Sequence, residues 1–452
     1  MHPPSPTDPT PPKAPRTPPR TQTATATGPA AAPALAPSGV IAPRSGRMAA
    51  ASSPDHDRAP DPATAATPGP GPSSFTARRH AGIAVVVGTR PEIIKLAVLT
   101  RLLGPGAYLI HTGQHYDENL SETFLASFAL PAPLLRLDGV GGASRNGQFS
   151  RILAGLGEHF AGHRPDAVIV QGDTNTAAAA ALAAQFEGIP VVHIEAGLRS
   201  NDRAMPEEIN RMLVGVVADL HCAPTPQAAD NLLRAGVDPR SVVTTGNTVV
   251  EATLACLPDA ADTADTLARH GVQAGYYVLA TIHRPENTDD PERLEAILAA
   301  LAKLPLPVLF PAHPRTVAAA HRHGLSADLD RLSPVAPLGY QDFLALARHA
   351  RLLVSDSGGL QEECTVLKKP LLVVRTSTER PESVAAGFAH LVPDPAGLGA
   401  AAARLLDDPD LPARLEATPS PYGDGRASER IVELLAEFGT PQDCDAELDA
   451  TA

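Results

Sequence analysis

Three carboxylates punctuate one stretch of the chain. Asp173 follows the apolar run Asp166–Gly172, Glu195 closes the run Pro190–Ile194, and Glu207 opens a helical pattern shortly afterwards. Acids at the carboxyl ends of consecutive parallel strands meet over one crevice. Gathered there, they move protons to and from carbon when their surroundings split their pKa values. Each has a plain structural reading as well. Asp173 caps the following helix, Glu195 takes a backbone partner at a strand end, and Glu207 complements a helix dipole. Taken singly, those readings win; three acids at one sheet edge shift the balance toward chemistry.

A second set of residues suits an anionic ligand. Gly88-Thr89-Arg90-Pro91-Glu92 leaves an apolar run and enters a helix, with Lys95 a turn further on. Gly88 permits a tight turn, Pro91 suits a first helical position, and amides at a helix start attract anions. The pattern is neither a dinucleotide fingerprint nor a Walker loop. Asp356-Ser357-Gly358-Gly359, followed by Glu363, repeats strand, small-residue turn and helix, which favours a diphosphate cradle over the alternative of a glycine-rich turn with a capping acid. His283 and Arg284 end another apolar run, and Arg380 follows a fourth. Cations so placed stabilise charge on a departing phosphate. For Arg380 alone, a surface ion pair with a neighbouring glutamate has equal standing.

Strands and helices must hold these groups in place. Ala81–Val87, Tyr108–Thr112, Ala167–Val170, Pro190–Ile194, Leu220–Ala223 and Val242–Thr244 read as strands. Helical spacing is predicted over Pro91–Leu103, Asn119–Phe128, Asn146–Ala161, Thr174–Glu187 and Glu207–Val217. A polar, proline-containing stretch near 257–275 separates this series from a second. There, strands are predicted at Tyr277–Ile282, Pro307–Phe310, Leu352–Ser355 and Pro370–Val374, among helices at Pro291–Ala302, Gln341–Ala350, Gly359–Leu367 and Leu398–Leu406. Continuous apolar strands alternating with helices mark parallel sheets covered on both faces. The fold class is therefore α/β, as two Rossmann-like domains facing across a cleft. The expected organisation is a Pro/Ala-rich, disordered tail at 1–80, a first domain at 81–248 and a second at 249–424. A closing helix at 425–440 and a short tail at 441–452 complete it.

Composition narrows the function. The chain has 452 residues, a formal net charge of -13 and four cysteines. An acidic chain disfavours nonspecific nucleic-acid binding. Cys222, Cys256, Cys364 and Cys444 have neither metal-ligand spacing nor a disulfide framework, which fits a reducing, cytoplasmic setting. No apolar run is long enough for a membrane span. Nineteen of the 47 prolines fall in residues 1–80, too little apolar surface to offset ordering entropy.

The motifs Gly88–Lys95, Gly113–His115, Gly172–Thr174, His193–Arg199, Pro206–Arg211, Thr245–Thr248, His283–Arg284, Asp356–Glu363 and Thr378–Glu382 resemble, in order and spacing, the non-hydrolysing UDP-N-acetylglucosamine 2-epimerases. The resemblance covers residues 81–440 and not the tail. It implies a glycosyltransferase-B-like fold and interconversion of UDP-N-acetylglucosamine and UDP-N-acetylmannosamine. UDP is eliminated to a 2-acetamidoglucal and then re-added, with no NAD and no metal required. By resemblance, Asp173, Glu195 and Glu207 are the acid/base candidates, and His283 and Arg211 stabilise departing UDP. Arg90, Lys95, Ser357, Gly358, Gly359, Glu363 and Arg380 hold phosphates and ribose. Phe343 and the backbone at Leu338 meet the uracil, and Gln114, His115 and His313 match a regulatory contact with a second substrate molecule. A homodimer is implied too. A hydrolysing relative releasing free UDP, and a UDP-sugar transferase or sensor on the same scaffold, stand as alternatives.

Overall fold

Residues 82–114, 125 and 128–438 are described by a computed structural model. Seven strands form the first sheet: β1 Ile83–Val87, β2 Ala107–His111, β3 Leu135–Arg136, β4 Ala167–Gln171, β5 Val191–Ile194, β6 Leu220–Ala223 and β7 Val242–Thr244. Their order is β3-β2-β1-β4-β5-β6-β7, and every pairing is parallel. Alternation along each strand divides the core. Val85, Val87 and Ile169 pack against Leu96 and Leu99 of the helix Arg90–Leu103. Ala84, Val86, Val168 and Val170 face the helices Arg145–Gly162 and Asn175–Phe186 on the other side. In the latter helix, seven buried alanines between 177 and 184 leave room for close packing on the sheet.

The second sheet contains β8 Val278–Thr281, β9 Val308–Leu309, β10 Leu352–Ser355, β11 Leu371–Val373 and β12 Ala389–Leu391, ordered β12-β11-β10-β8-β9, again all parallel. Chain order reverses between β1 and β4 in one sheet and between β8 and β10 in the other. Those are the points where a doubly wound sheet opens a crevice beyond its strand ends.

Two helices tie the lobes. Thr248–Cys256 leaves the first sheet, and its Glu251 accepts the Ser428 N–H at 2.9 Å and also the Ser428 hydroxyl. That carboxylate caps the final helix, Ala427–Phe438, whose Ile431 and Leu435 sink into the first sheet's core beside Leu96. The stretch near 257–275, expected as a polar separator, holds a helix instead. Asp259 caps Ala260–Arg269 by accepting the Ala261 and Asp262 amides, and Thr266 bonds to Asp342 of the second lobe. Its polar residues are the solvent side of an amphipathic helix. The helix predicted at Asn119–Phe128 lies almost wholly outside the described residues. Among those described, no helix is long and apolar enough to cross a membrane.

Candidate active site

The turn after β1 owes its glycine to crowding. A Cβ on Gly88 would lie 2.1 Å from the Thr176 hydroxyl and 2.2 Å from that of Thr112, so no side chain fits. Its φ is not positive, so the glycine expected for turn freedom is required by close approach instead. Glu92, one turn into the helix and fully buried, accepts the Gly88 and Thr89 amides at 2.8 and 2.7 Å. Burial raises its pKa to about 7 against the pull of those donors.

Asp173 leaves β4 on the left-handed Gly172 (φ 69°). Its carboxylate takes Nε and Nη2 of Arg211 at 2.9 and 2.8 Å, and its carbonyl oxygen accepts the Asn210 amide at 2.9 Å. Arg211 is buried and reaches Glu208 as well, at 2.6 Å. Glu207, the predicted acid, is half-exposed at the helix start, while the adjacent Glu208 enters the network and accepts from Ser200 and Asn201.

Glu195 joins a buried ion cluster between the two lobes. It occupies a left-handed backbone conformation (φ 61°), unusual for a residue with a side chain. Its buried carboxylate pairs with Lys95 of the first lobe, with Arg380 of the second at 3.5 Å, and with Gln171 at 2.9 Å. Glu362 completes the cluster, 2.9 Å from Lys95 and 2.8 Å from Arg380. Burial and the Glu362 charge raise the Glu195 pKa. Burial also opposes ionisation of Glu362, but Arg380 and Lys95 outweigh it and hold that carboxyl below its usual value. The two acids are thus pushed apart, which is the condition for one of them to carry a proton. Arg380 is 6% exposed and also pairs with Glu379, so the surface ion pair considered for it is not what forms.

In the second lobe, His283 follows β8 and Asp356 follows β10, the two strands of the switch point. Their side chains meet at 3.0 Å, and Asp356 also accepts the His283 and Arg284 amides. Burial works against the Asp356 charge, yet these bonds and one from Asn287 hold its pKa below the ordinary value. Ser357 precedes the helix Gly358–Leu367 without capping it through its side chain. A Cβ on Gly358 would meet the Arg380 guanidinium at 2.8 Å. Gly359 continues the first turn. Glu363 accepts the Tyr340 hydroxyl at 2.9 Å, and burial raises its pKa to about 6. Leu338 and Phe343 are half-buried and pack on the core between the lobes. Arg90 opens its helix and is exposed.

Two of the three regulatory candidates lie among the described residues. Gln114 accepts the Thr176 amide and hydroxyl, both at 2.8 Å, so it serves the start of the helix Asn175–Phe186. His313 caps the helix Pro314–His323, its ring 5.4 Å from that of His283. His115 lies outside the described residues. Among the described residues, no group of three or more His, Cys, Asp or Glu side chains is arranged to hold a metal ion.

Glu92, Glu208, Asp356, Glu362 and Glu379 belong to this network and were not singled out in sequence. Glu208 and Glu362 each adjoin a named acid. On a helix, neighbours point about 100° apart, so only packing decides which one faces inward.

Residues 106–436 match the family model described as UDP-N-acetylglucosamine 2-epimerase. The UDP-N-acetylglucosamine 2-epimerase of Methanocaldococcus jannaschii is 38% identical over 365 residues, spanning 78% of this chain and 98% of the relative. The UDP-2,3-diacetamido-2,3-dideoxy-D-glucuronate 2-epimerase of Pseudomonas aeruginosa is 36% identical over 368 residues, spanning 79% and 99%. The crystal structure of the M. jannaschii UDP-GlcNAc 2-epimerase in complex with UDP-GlcNAc and UDP aligns with a TM-score of 0.72 at 38% identity, covering 79% of this chain and 99% of that one.

Proposed function

The chain belongs to the UDP-N-acetylglucosamine 2-epimerase family, an isomerase family, and from that premise we propose that it interconverts UDP-N-acetylglucosamine and UDP-N-acetylmannosamine without net hydrolysis. The observation that carries this reading is the seat of Glu195. A carboxylate in a strained backbone position lies buried between a cation from each lobe.

The hexose C2 proton is not acidic. A positioned base takes it while the anomeric C–O bond breaks, giving a 2-acetamidoglucal and UDP. Re-addition of UDP with proton delivery to the opposite face inverts C2. Two groups are required, and Asp173 and Glu195 are the pair we assign, with Glu207 a further candidate at the cleft's edge. Burial and the neighbouring Glu362 charge raise the Glu195 pKa, which favours its holding a proton more readily than an ordinary carboxylate. Arg211 and His283, the latter oriented by Asp356, stabilise the departing diphosphate. The amides of Ser357–Gly359, with Arg90, take the phosphates. Glu363 takes the ribose, and Phe343 and Leu338 meet the base. Lys95 and Arg380 act both on the phosphates and on Glu195. Gln114, His115 and His313 are retained as candidates for a second substrate molecule. Exposed Phe186, Met212, Leu213 and Val216 on neighbouring helices support a homodimer.

Because UDP and the glycal must stay together, the lobes close over them and exclude water. Proton NMR in deuterium oxide tests the proposal. UDP-N-acetylglucosamine should convert to UDP-N-acetylmannosamine carrying deuterium at C2. Stoichiometric free UDP would instead identify a hydrolysing enzyme. The P. aeruginosa relative favours a second substrate, a 2,3-diacetamido uronate. Turnover of that UDP-sugar in preference to UDP-N-acetylglucosamine would move the assignment there.

A further inference from the structure

We propose that Glu92 and His193 are positioning residues which lock the Gly172–Thr174 turn and so fix the Asp173 carboxylate against the hexose. The proposal rests on the reading of Asp173 as an acid/base group. Each of three successive residues in this turn is held by a different element. The Gly172 carbonyl oxygen accepts His193 Nε2 of β5 at 2.8 Å. Asp173 is held through its carbonyl by Asn210 of the helix Pro206–Val217. The Thr174 hydroxyl donates to Glu92 Oε1 at 2.5 Å and accepts the Ala177 amide at 3.0 Å.

Glu92 does more than anchor Thr174. Its Oε2 takes the Gly88 amide, the Thr89 amide and the Thr89 hydroxyl at 2.8, 2.7 and 2.9 Å. One side chain thereby links the turn after β1 to the turn after β4, the two strands flanking the switch point. Its residue is 0% exposed and that of His193 is 1%, so neither side chain reaches a ligand in the cleft. They act through the turn they hold.

The chemistry of His193 points the same way. A carbonyl oxygen accepts, so Nε2 carries the proton, while buried Nδ1 has no hydrogen-bond partner in the structure as described. Burial pushes its pKa down to about 3, so the ring is neutral. An apolar residue would occupy this core position without the cost of an unpaired ring nitrogen. What the imidazole adds is the single bond to Gly172. Gly172 is left-handed and its N–H is held by the Ile194 carbonyl at 2.9 Å, so the His193 bond is what fixes the other side of this residue at the sharp exit from β4.

The test compares Glu92→Ala, His193→Leu and Thr174→Val with the conservative Glu92→Gln and Thr174→Ser. Thr174→Val puts a methyl in place of the hydroxyl at a half-buried site, losing its bonds to Glu92 and to the Ala177 amide but no core side chain, so it carries the test if either core variant fails to fold. Misplacing a reacting group by about 1 Å costs about 100-fold in rate. The disrupting variants should lose about that much kcat in C2 deuterium incorporation, with KM and the Kd for UDP within about 3-fold of wild type. Glu92→Gln and Thr174→Ser should recover most of the rate, since each preserves a polar bridge. Folded Thr174→Val with kcat within about 3-fold of wild type overturns the proposal, as does a matching loss of UDP affinity. Asp173→Asn is measured in parallel. Full activity there refutes the role of Asp173 itself; an inactive Asp173→Asn beside a fully active Thr174→Val refutes only the clamp.

Discussion

At the level of single residues, the site depends on which carboxylates are buried against which cations. Asp173 faces Arg211, whereas Glu195 faces Lys95, Arg380 and the repelling charge of Glu362. Sequence motifs located both acids because each ends a strand, where β/α units place their functional groups. The partners were not legible. By resemblance Lys95 and Arg380 are phosphate or ribose ligands, and Arg380 alone reads equally as a surface ion pair; their buried pairs with Glu195 and Glu362 form only when distant stretches of chain meet. Replacing Asp173 by Asn or Glu195 by Gln keeps side-chain shape and removes the titratable oxygen. Either change should lower kcat on the order of 1000-fold while UDP affinity changes little, as followed by C2 deuterium incorporation and UDP calorimetry. Normal turnover in both variants would dismiss the acid/base assignment.

Among elements, turns were easier to read than short regular segments. Strand, glycine turn and helix at Gly88 and at Gly358 were visible, since small residues and proline mark them. β3 and β12, two and three residues long, carry too little periodicity to register. Ala260–Arg269 was missed because its apolar stripe is sparse; Asp259, its cap, was the available signal. The helix start at Glu92 also makes stability depend on pH. Its pKa of about 7 in the folded protein exceeds the ordinary 4.5, so the native state binds this proton more tightly than the unfolded chain does. The resulting stabilisation is full below pH 4.5 and is lost as pH rises through about 7. Over that window wild type should lose on the order of 3 kcal/mol relative to Glu92→Gln. Urea unfolding at a series of pH values measures the difference, and parallel curves for the two proteins would disprove it.

In the whole molecule, two separately wound sheets share one polar junction. Lys95 to Glu362, Glu195 to Arg380 and Thr225 to Glu382 (2.6 Å) all cross from one lobe to the other. Thr248–Cys256 carries the chain out of the first lobe and the final helix brings it back. Removing one member of a buried ion cluster leaves its partners undercompensated. Glu362→Gln should therefore cost about 3 kcal/mol of unfolding free energy, whereas Glu429→Gln, at a solvent-exposed pair with Arg426, should leave stability unchanged. Equal effects in denaturant titrations would show that the junction contributes nothing special.

The amino-acid sequence by itself determined the α/β class, the two series of strands and the strand ends that carry acids, glycines and cations. These are local properties, set by apolar periodicity and by residues that terminate regular structure. Only the tertiary structure decided that Glu208 and Glu362 turn inward, that Gly88 is required by two threonine hydroxyls, and that Glu92 and His193 converge on the turn bearing Asp173. Those outcomes depend on which surfaces come within a few ångströms after folding, and no local pattern encodes that.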